Sequence, residues 1–556
     1  MLRVIIINII IIVLTNCVDG LFNTKGFKSG VQYKDVTTNY GVVRGRVASD
    51  GEYFAYLGIP YATPPVATKR FKAPFPPAPW DGVFEANRTV ICPQNGKGEE
   101  DCLILNIFTP TETIQHSLPV LVYIHGGSFL IGSGPTKGMD FLIKENIIVV
   151  TINYRLGALG FLCLGIEEAP GNAGMKDQVA ALKWLQGNIA NFGGDPQQVT
   201  IYGMSAGAAS VELLVLSKTS EDLFRRAIAE SASATSVWVT DANPIKTALN
   251  VASALKFPTI TNNMSKLVEY YQQVPANELS EINTEYYNNL TDGTFGFVPC
   301  IEGNFNIKQA FLVESPYKML VKEKFKKVPI MFMFATLEGL YLRSREYYDN
   351  NYKDRMEENF LDFMPADLIF DTIEIKKEIS KNVKYFYFGN HTVSNDTVVE
   401  YLNYFGDYLV LRPLLNSVEI HANNNPAYLL EFAYKGNMGS SERFYENIKI
   451  AGHGDIVKHA ILYKPLRNED NEDDKVTVMR VSKIIANFVK FGNPTPTRSS
   501  LLPRLWPAVQ SNNVSCLYLN SDFDVIEEPY WERKLFWDQL YAKFRRPLRP
   551  VDSDLQ

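Results

Sequence analysis

The pentapeptide GMSAG, residues 203–207, holds a serine between two glycines. Such a match alone carries little weight, because about 0.1 to 0.2 arise by chance in a chain this long. Its surroundings give it weight: the apolar run VTIY precedes it and the helical run AASVELLVL follows it. A serine on a strand-to-helix turn stands at a helix N-terminus, where exposed N–H groups and the helix dipole favour developing negative charge. Glycines at 203 and 207 let strand and helix approach without a Cβ clash. Ser205 is therefore the candidate nucleophile of an acyl transfer.

A serine hydroxyl needs a base within hydrogen-bond reach, itself oriented by an acid. For a nucleophile on this kind of turn the chain order is nucleophile, acid, base. Of the chain's histidines, His391, His421, His453 and His459 follow Ser205. His453 stands in the Gly-flanked loop AGHGD and is the candidate base. His459 reads as a helix-surface residue, and no HExxH or Cys/His spacing makes the two a metal pair. Among the acids between Ser205 and His453, Glu338 fits best, because it follows the strand-like run VPIMFMFATL and precedes Gly339. Pattern alone leaves the other acids of that interval open. HGGSF, residues 125–129, is a Gly-rich turn straight after a strand-like run, and its N–H groups, with that of Ala206, can hold an oxyanion. This chemistry calls for no cofactor and no metal.

Positioning these groups requires a particular frame. The runs PVLVYIHGG from Pro119, IIVVTINYRLG from Ile147, VTIYGMSAG from Val199 and VPIMFMFATLEG from Val328 have strand length and end in turn residues. Runs apolar on both faces suit parallel strands covered by helices on each side. Between the second and third, Met175, Val179, Leu182, Leu185, Ile189 and Phe192 recur at helical spacing, ahead of Gly193, Gly194 and Pro196. Strand, helix, strand and a further helix over residues 206–216 predict an α/β fold on a doubly wound, mostly parallel, twisted sheet flanked by helices. Residues 246–289 predict polar helices inserted as walls of the active site. No repeat or linker divides the chain after residue 20, which reads as one domain over 20–556.

Net charge is -6 with no long basic stripe, which excludes nucleic acid as the expected partner. Arg3 followed by the apolar run Val4 to Leu14 reads as a signal peptide over residues 1–19; the run is shorter than the roughly 20 residues of a membrane span. The chain is thus expected to be secreted, without a stable membrane anchor. Sequons at Asn87, Asn263, Asn289, Asn390, Asn395 and Asn513 suit that route as N-glycosylation candidates. Loss of Cys17 with the signal leaves an odd number of cysteines. Cys92 and Cys102 bracket a short polar stretch and are expected to close as a disulfide, contributing roughly 2 to 3 kcal/mol. Cys163 reads as a buried, inert thiol, and a pairing of Cys300 with Cys516 stays open. The acidic run NEDNEDD from Asn468 and the basic end KFRRPLRP both read as solvated segments.

Beyond the serine turn, the pieces YLGIPYATPPV, RFKAPFPPAPWDGVFEA, EEDCLILNIFTP, NYRLGALGFL, LFRRAIAES and NFVKFGNPTP occur in order along nearly the whole chain. Together they resemble the type-B carboxylesterase and cholinesterase family. The resemblance implies an α/β-hydrolase fold with helical insertions over the active site, a small-molecule ester substrate, and a Ser205, Glu338, His453 triad. It further implies an oxyanion hole from the N–H groups of Gly127, Ser128 and Ala206, a second serine near the triad at Ser231, and an acyl-pocket aromatic at Trp238. Three departures bear on substrate. Met204 stands where the family usually has Glu and juvenile hormone esterases usually have Gln. The Cys92 to Cys102 loop has no aromatic to hold choline by a cation–π contact. Ser128 replaces the usual third glycine of HGGG. Two other readings belong to other classes: a catalytically silent cholinesterase-like adhesion or ligand-binding protein, and a secreted protein that sequesters apolar ligands with slow turnover. The pattern carries no information on oligomeric state.

Overall fold

The computed structural model describes residues 32–112, 116–257, 263–303, 309–342, 351–438, 448–461, 471–510 and 513–551. The expected signal segment lies outside them.

The both-faces-apolar runs become strands that carry the core of the sheet: β6 (Leu118–Ile124), β7 (Ile148–Ile152), β10 (Gly194–Met204), buried from Val199 to Gly203, and β12 (Ile330–Ala335). Around them lie β1 (Tyr33–Thr38), β2 (Gly41–Val47), β3 (Tyr53–Pro60), β4 (Val83–Glu85), β5 (Ile104–Pro110), β11 (Arg226–Glu230), β13 (Ala427–Phe432), β14 (Ser515–Leu519) and β15 (Phe523–Glu527). A short separate hairpin pairs β8 (Cys163–Ile166) with β9 (Ala169–Pro170). Among the described residues the main sheet has 13 strands in the order β1-β2-β3-β5-β7-β6-β10-β11-β12-β13-β14-β15, with β4 against β2. From β7 to β14 every neighbouring pair is parallel, while β2-β3, β3-β5, β5-β7 and β14-β15 are antiparallel. This is the expected α/β-hydrolase architecture, a mixed sheet whose parallel centre carries the candidate residues at its C-terminal edge.

Helices cover both faces. The helix Ala173–Asn188 buries Met175, Leu182 and Leu185 completely, each contributing about 1.5 to 3 kcal/mol of apolar burial. It runs on into a tighter turn, Ile189–Phe192, and stops at Gly193, whose φ of 86° only glycine adopts without strain. The helix Ala206–Leu216 is buried along its whole length, as a run of Ala, Val and Leu requires. The described residues between 244 and 288 include three helices, Pro244–Ala254, Met264–Gln273 and Ala276–Asn288. The second ends on Arg70, whose guanidinium donates to the carbonyls of Tyr271, Gln272 and Val274 at 2.7 to 3.1 Å. A cation there satisfies carbonyls that the helix leaves without partners. Among the described residues no helix is long and apolar enough to cross a membrane.

Four local expectations are corrected. Cys163 is not a free thiol: it is bonded to Cys300, joining the β8-β9 hairpin to a segment 137 residues later, and Cys516 is the buried free thiol instead. His459 is fully buried rather than at a helix surface, with Nδ1 donating to the Asp455 carbonyl at 2.8 Å and its ring against Phe432 and Tyr434. The acidic run is not simply a solvated loop. Its described part starts the helix Glu472–Phe491, with Asn471 as the cap and three acids in the first turn, where the dipole favours them. Asp474 is buried and accepts from Tyr434 Oη at 2.9 Å. The basic end is corrected only in part: Lys543, Pro547, Arg549 and Pro550 are exposed, whereas Arg545 is half-buried over the Tyr317 ring at 3.7 Å.

Candidate active site

Strand β10 ends at Met204 and the helix begins at Ala206, so Ser205 takes up the whole change of direction, at φ 57° and ψ -121°. That conformation is costly for a side-chain-bearing residue and persists only where surroundings enforce it. Two glycines do so. A Cβ on Gly203 would lie 2.1 Å from the Gly207 carbonyl oxygen, and one on Gly207 would lie 2.1 Å from that of Ile124. The Ser205 N–H donates to the Glu230 carbonyl at 2.7 Å, and its carbonyl accepts from Ala209 at 3.0 Å. Ser205 is only 8% exposed.

The Gly-rich turn follows β6 and lies against this serine: a Cβ on Gly126 would come within 3.0 Å of the Ser205 Cβ. Gly127, Ser128 and Phe129 have φ of 107°, 58° and 59°. The Gly127 carbonyl accepts from Leu130 and Ile131 at 2.9 and 3.0 Å, which turns the chain into a tight loop. Among the described residues no protein acceptor takes the N–H of Gly127 or of Ser128. Ala206 stands at the first helical position, where an N–H has no partner within the helix. His125 anchors the turn. Its ring stacks on Tyr154 with centroids 4.4 Å apart, and Nδ1 donates to the Gly126 carbonyl at 2.8 Å. Burial pushes its pKa down to about 4, so the imidazole stays neutral.

Glu338 and His453, 115 residues apart, meet with Nδ1 2.6 Å from Oε2. The other carboxylate oxygen accepts from Ser231 Oγ and from the Ala335 N–H, each at 2.7 Å. Glu338 is 3% exposed, and all these donors aim at a side chain that has left water. Backbone pairing holds the two loops together: Leu337 N donates to the Ala451 carbonyl at 3.0 Å, and Leu337 bridges to Gly452. The base loop passes over the serine turn, since a Cβ on Gly454 would lie 3.2 Å from the Met204 methyl carbon.

A profile of the Carboxylesterase family matches residues 32–537. The chain belongs to the carboxylesterase family. It is 33% identical over 508 residues to Esterase FE4 of Myzus persicae, covering 86% of this chain and 87% of that one. It is 30% identical over 550 residues to the juvenile hormone esterase of Tribolium castaneum, covering 90% and 93%. The crystal structure of juvenile hormone esterase from Manduca sexta with OTFP covalently attached superposes with a TM-score of 0.80 at 27% identity, covering 92% of this chain and all of that one.

Other residues of this carboxylesterase singled out by sequence fall near the serine or well away from it. Ser231 sits at the end of β11 with φ 64°, and its N–H donates to the Met333 carbonyl at 2.8 Å. Trp238 is buried, stacks on Phe295 at 4.9 Å, neighbours Phe129 of the Gly-rich turn at 6.3 Å, and donates from Nε1 to the Leu409 carbonyl at 3.0 Å. Cys92 and Cys102 are disulfide-bonded, with Cα atoms 5.1 Å apart. Asn87, Asn263, Asn289, Asn390 and Asn395 are exposed. Asn513 is half-buried and its side chain donates to Glu527 at 3.0 Å.

One residue escaped the sequence reading. Glu230, the last residue of β11, is completely buried, and its carboxylate accepts from Tyr202 Oη and from the Val457 N–H. Burial, with Glu338 and Asp455 nearby adding to it, pushes its pKa up to about 8. The available signal was an acid closing the apolar run AIA, which reads as an ordinary strand boundary.

Proposed function

We propose that this carboxylic ester hydrolase works by two-step acyl transfer. His453, oriented by Glu338, takes the Ser205 proton as Oγ attacks the ester carbonyl carbon. The N–H groups of Gly127, Ser128 and Ala206 hold the oxyanion. The C–O bond to the alcohol then breaks, with His453 returning its proton to the leaving oxygen, and water repeats the sequence on the acyl-enzyme. The observation that carries this reading is the 2.6 Å contact of His453 with Glu338 in a loop packed over the residue preceding Ser205.

The substrate class in this proposal is a small, uncharged ester. Met204 puts a thioether where an acid would attract a cation, and Trp238 with Phe295 beside Phe129 supports an apolar acyl wall. Esterases and juvenile hormone esterases among the relatives are compatible with that class. Residues 1–19 act in this reading as a secretory signal, and residues 20–556 as one hydrolase domain. Organophosphate treatment followed by peptide mass spectrometry tests the mechanism: the covalent mass belongs on the peptide containing Ser205, and a label on any other residue refutes the assignment. A panel of nitrophenyl esters of graded acyl length, with Ser205→Ala as control, measures the acyl preference.

A further inference from the structure

We infer that Glu230 is a positioning residue, tying the serine turn to the loop that carries the base; the inference rests on the triad proposed above. The place is an expensive one for an acid. Glu230 is 0% exposed, its charged neighbours are two further acids, Glu338 and Asp455, and among the described residues no Lys or Arg forms an ion pair with it. Asp455 itself is engaged by the Gly452 N–H at 2.9 Å and by Lys458 at 3.0 Å. An unpaired buried acid is a net cost unless its hydrogen bonds do something that an apolar residue cannot.

Those bonds join three segments far apart in sequence. The backbone carbonyl of Glu230 accepts the Ser205 N–H at 2.7 Å. Its carboxyl meets Tyr202, three residues before the nucleophile on β10, and the Val457 N–H at 3.1 Å, four residues after His453. The next residue, Ser231, donates to Glu338 at 2.7 Å. The dipeptide Glu230-Ser231 thus holds the nucleophile's backbone, the segment that follows the base and the acid's carboxylate at once. In its neutral form the Glu230 carboxyl has one acceptor for Val457 and one O–H to share with Tyr202. A glutamine amide reproduces both contacts; alanine reproduces neither.

The test compares Glu230→Ala, Glu230→Gln and Tyr202→Phe in the full chain, using nitrophenyl butyrate hydrolysis and organophosphate titration of active sites. Misplaced catalytic groups lower the rate more than ground-state binding, so Glu230→Ala is expected to lose about 30-fold in kcat with KM within about threefold. Titration should still count one site per chain, labelled more slowly. Glu230→Gln is expected to restore kcat to within about threefold of wild type, and Tyr202→Phe, lacking one of the two bonds, to lose about fivefold. The inference is overturned if Glu230→Ala keeps wild-type kcat, or if Glu230→Gln is as slow as Glu230→Ala. Should Glu230→Ala fail to melt cooperatively, Tyr202→Phe decides, and an unchanged kcat there overturns it. A wild-type protein that is not labelled at Ser205 would instead defeat the proposed triad.

Discussion

The loop that carries His453 packs against the serine turn, yet the turn and the Glu338-His453 junction are held by different physics. The turn at Ser205 is enforced locally: glycines two residues before and two after remove the atoms that would block it, and the strained φ of 57° follows from strand and helix meeting there. The junction has no such local cause. Two segments 115 residues apart are brought together by strand order, by backbone pairing of Leu337 with Gly452, and by side chains from a third segment, β11 and the residue after it. A strained local turn tolerates little change of volume, whereas a junction of loops tolerates volume but not the loss of a hydrogen bond.

Substitutions can break this contrast or sharpen it. Glu338→Gln keeps the shape of the junction and removes its charge; we expect kcat to fall about 10⁴-fold while unfolding is little changed, measured by ester hydrolysis and urea titration. Gly203→Ala does the reverse: its methyl group meets backbone, and a loss of about 3 kcal/mol in a urea titration is expected, with activity falling alongside. A Gly203→Ala protein as stable as wild type would remove the local account of the turn.

Glu230 gives a pH-dependent version of the comparison. Its folded pKa of about 8 lies above the ordinary carboxyl value of 4.5, so the folded state holds the proton more tightly than the unfolded one. This stabilisation is complete below about pH 4.5 and is lost as pH rises through about 8. Relative to Glu230→Gln, wild type should therefore lose on the order of 2 to 3 kcal/mol between pH 6 and 8, read from paired urea midpoints. Parallel curves for the two proteins would mean that Glu230 is not buried as a neutral acid. The smallest effect is expected at Ser231: Ser231→Ala removes one of two protein donors to one carboxylate oxygen of Glu338, leaving Ala335, and should lower kcat about tenfold with KM unchanged in the same ester assay.

How legible each part was follows the same division. Ser205 was readable because strand, glycines and helix all lie within some twenty residues, and periodicity reports each of them. The helix over residues 173–188 and its stop at Gly193 were readable for the same reason. Glu338 and His453 could be ranked from chain order and glycine-flanked loops, but their contact could not, because no local pattern encodes a distance between two loops. Where sequence reasoning failed, a distant partner overrode the local rule. Cys163 looked like an inert thiol until Cys300 was placed beside it, and His459 looked exposed until β13 covered it with Phe432. The acidic run, taken as a solvated loop, opens a helix whose first turn buries Asp474 against Tyr434.

By itself the amino-acid order therefore determined the parallel core strands, the helices packed against them and the turn that sets a serine at a helix N-terminus, since each depends on side-chain spacing within one or two elements. Only the tertiary structure decided that Glu230 and Ser231 join the nucleophile's strand to the base and its acid. That arrangement depends on which strands are neighbours across the sheet. Burial then turns an ordinary acid into a neutral hydrogen-bonding group, and no single segment of the chain carries that information.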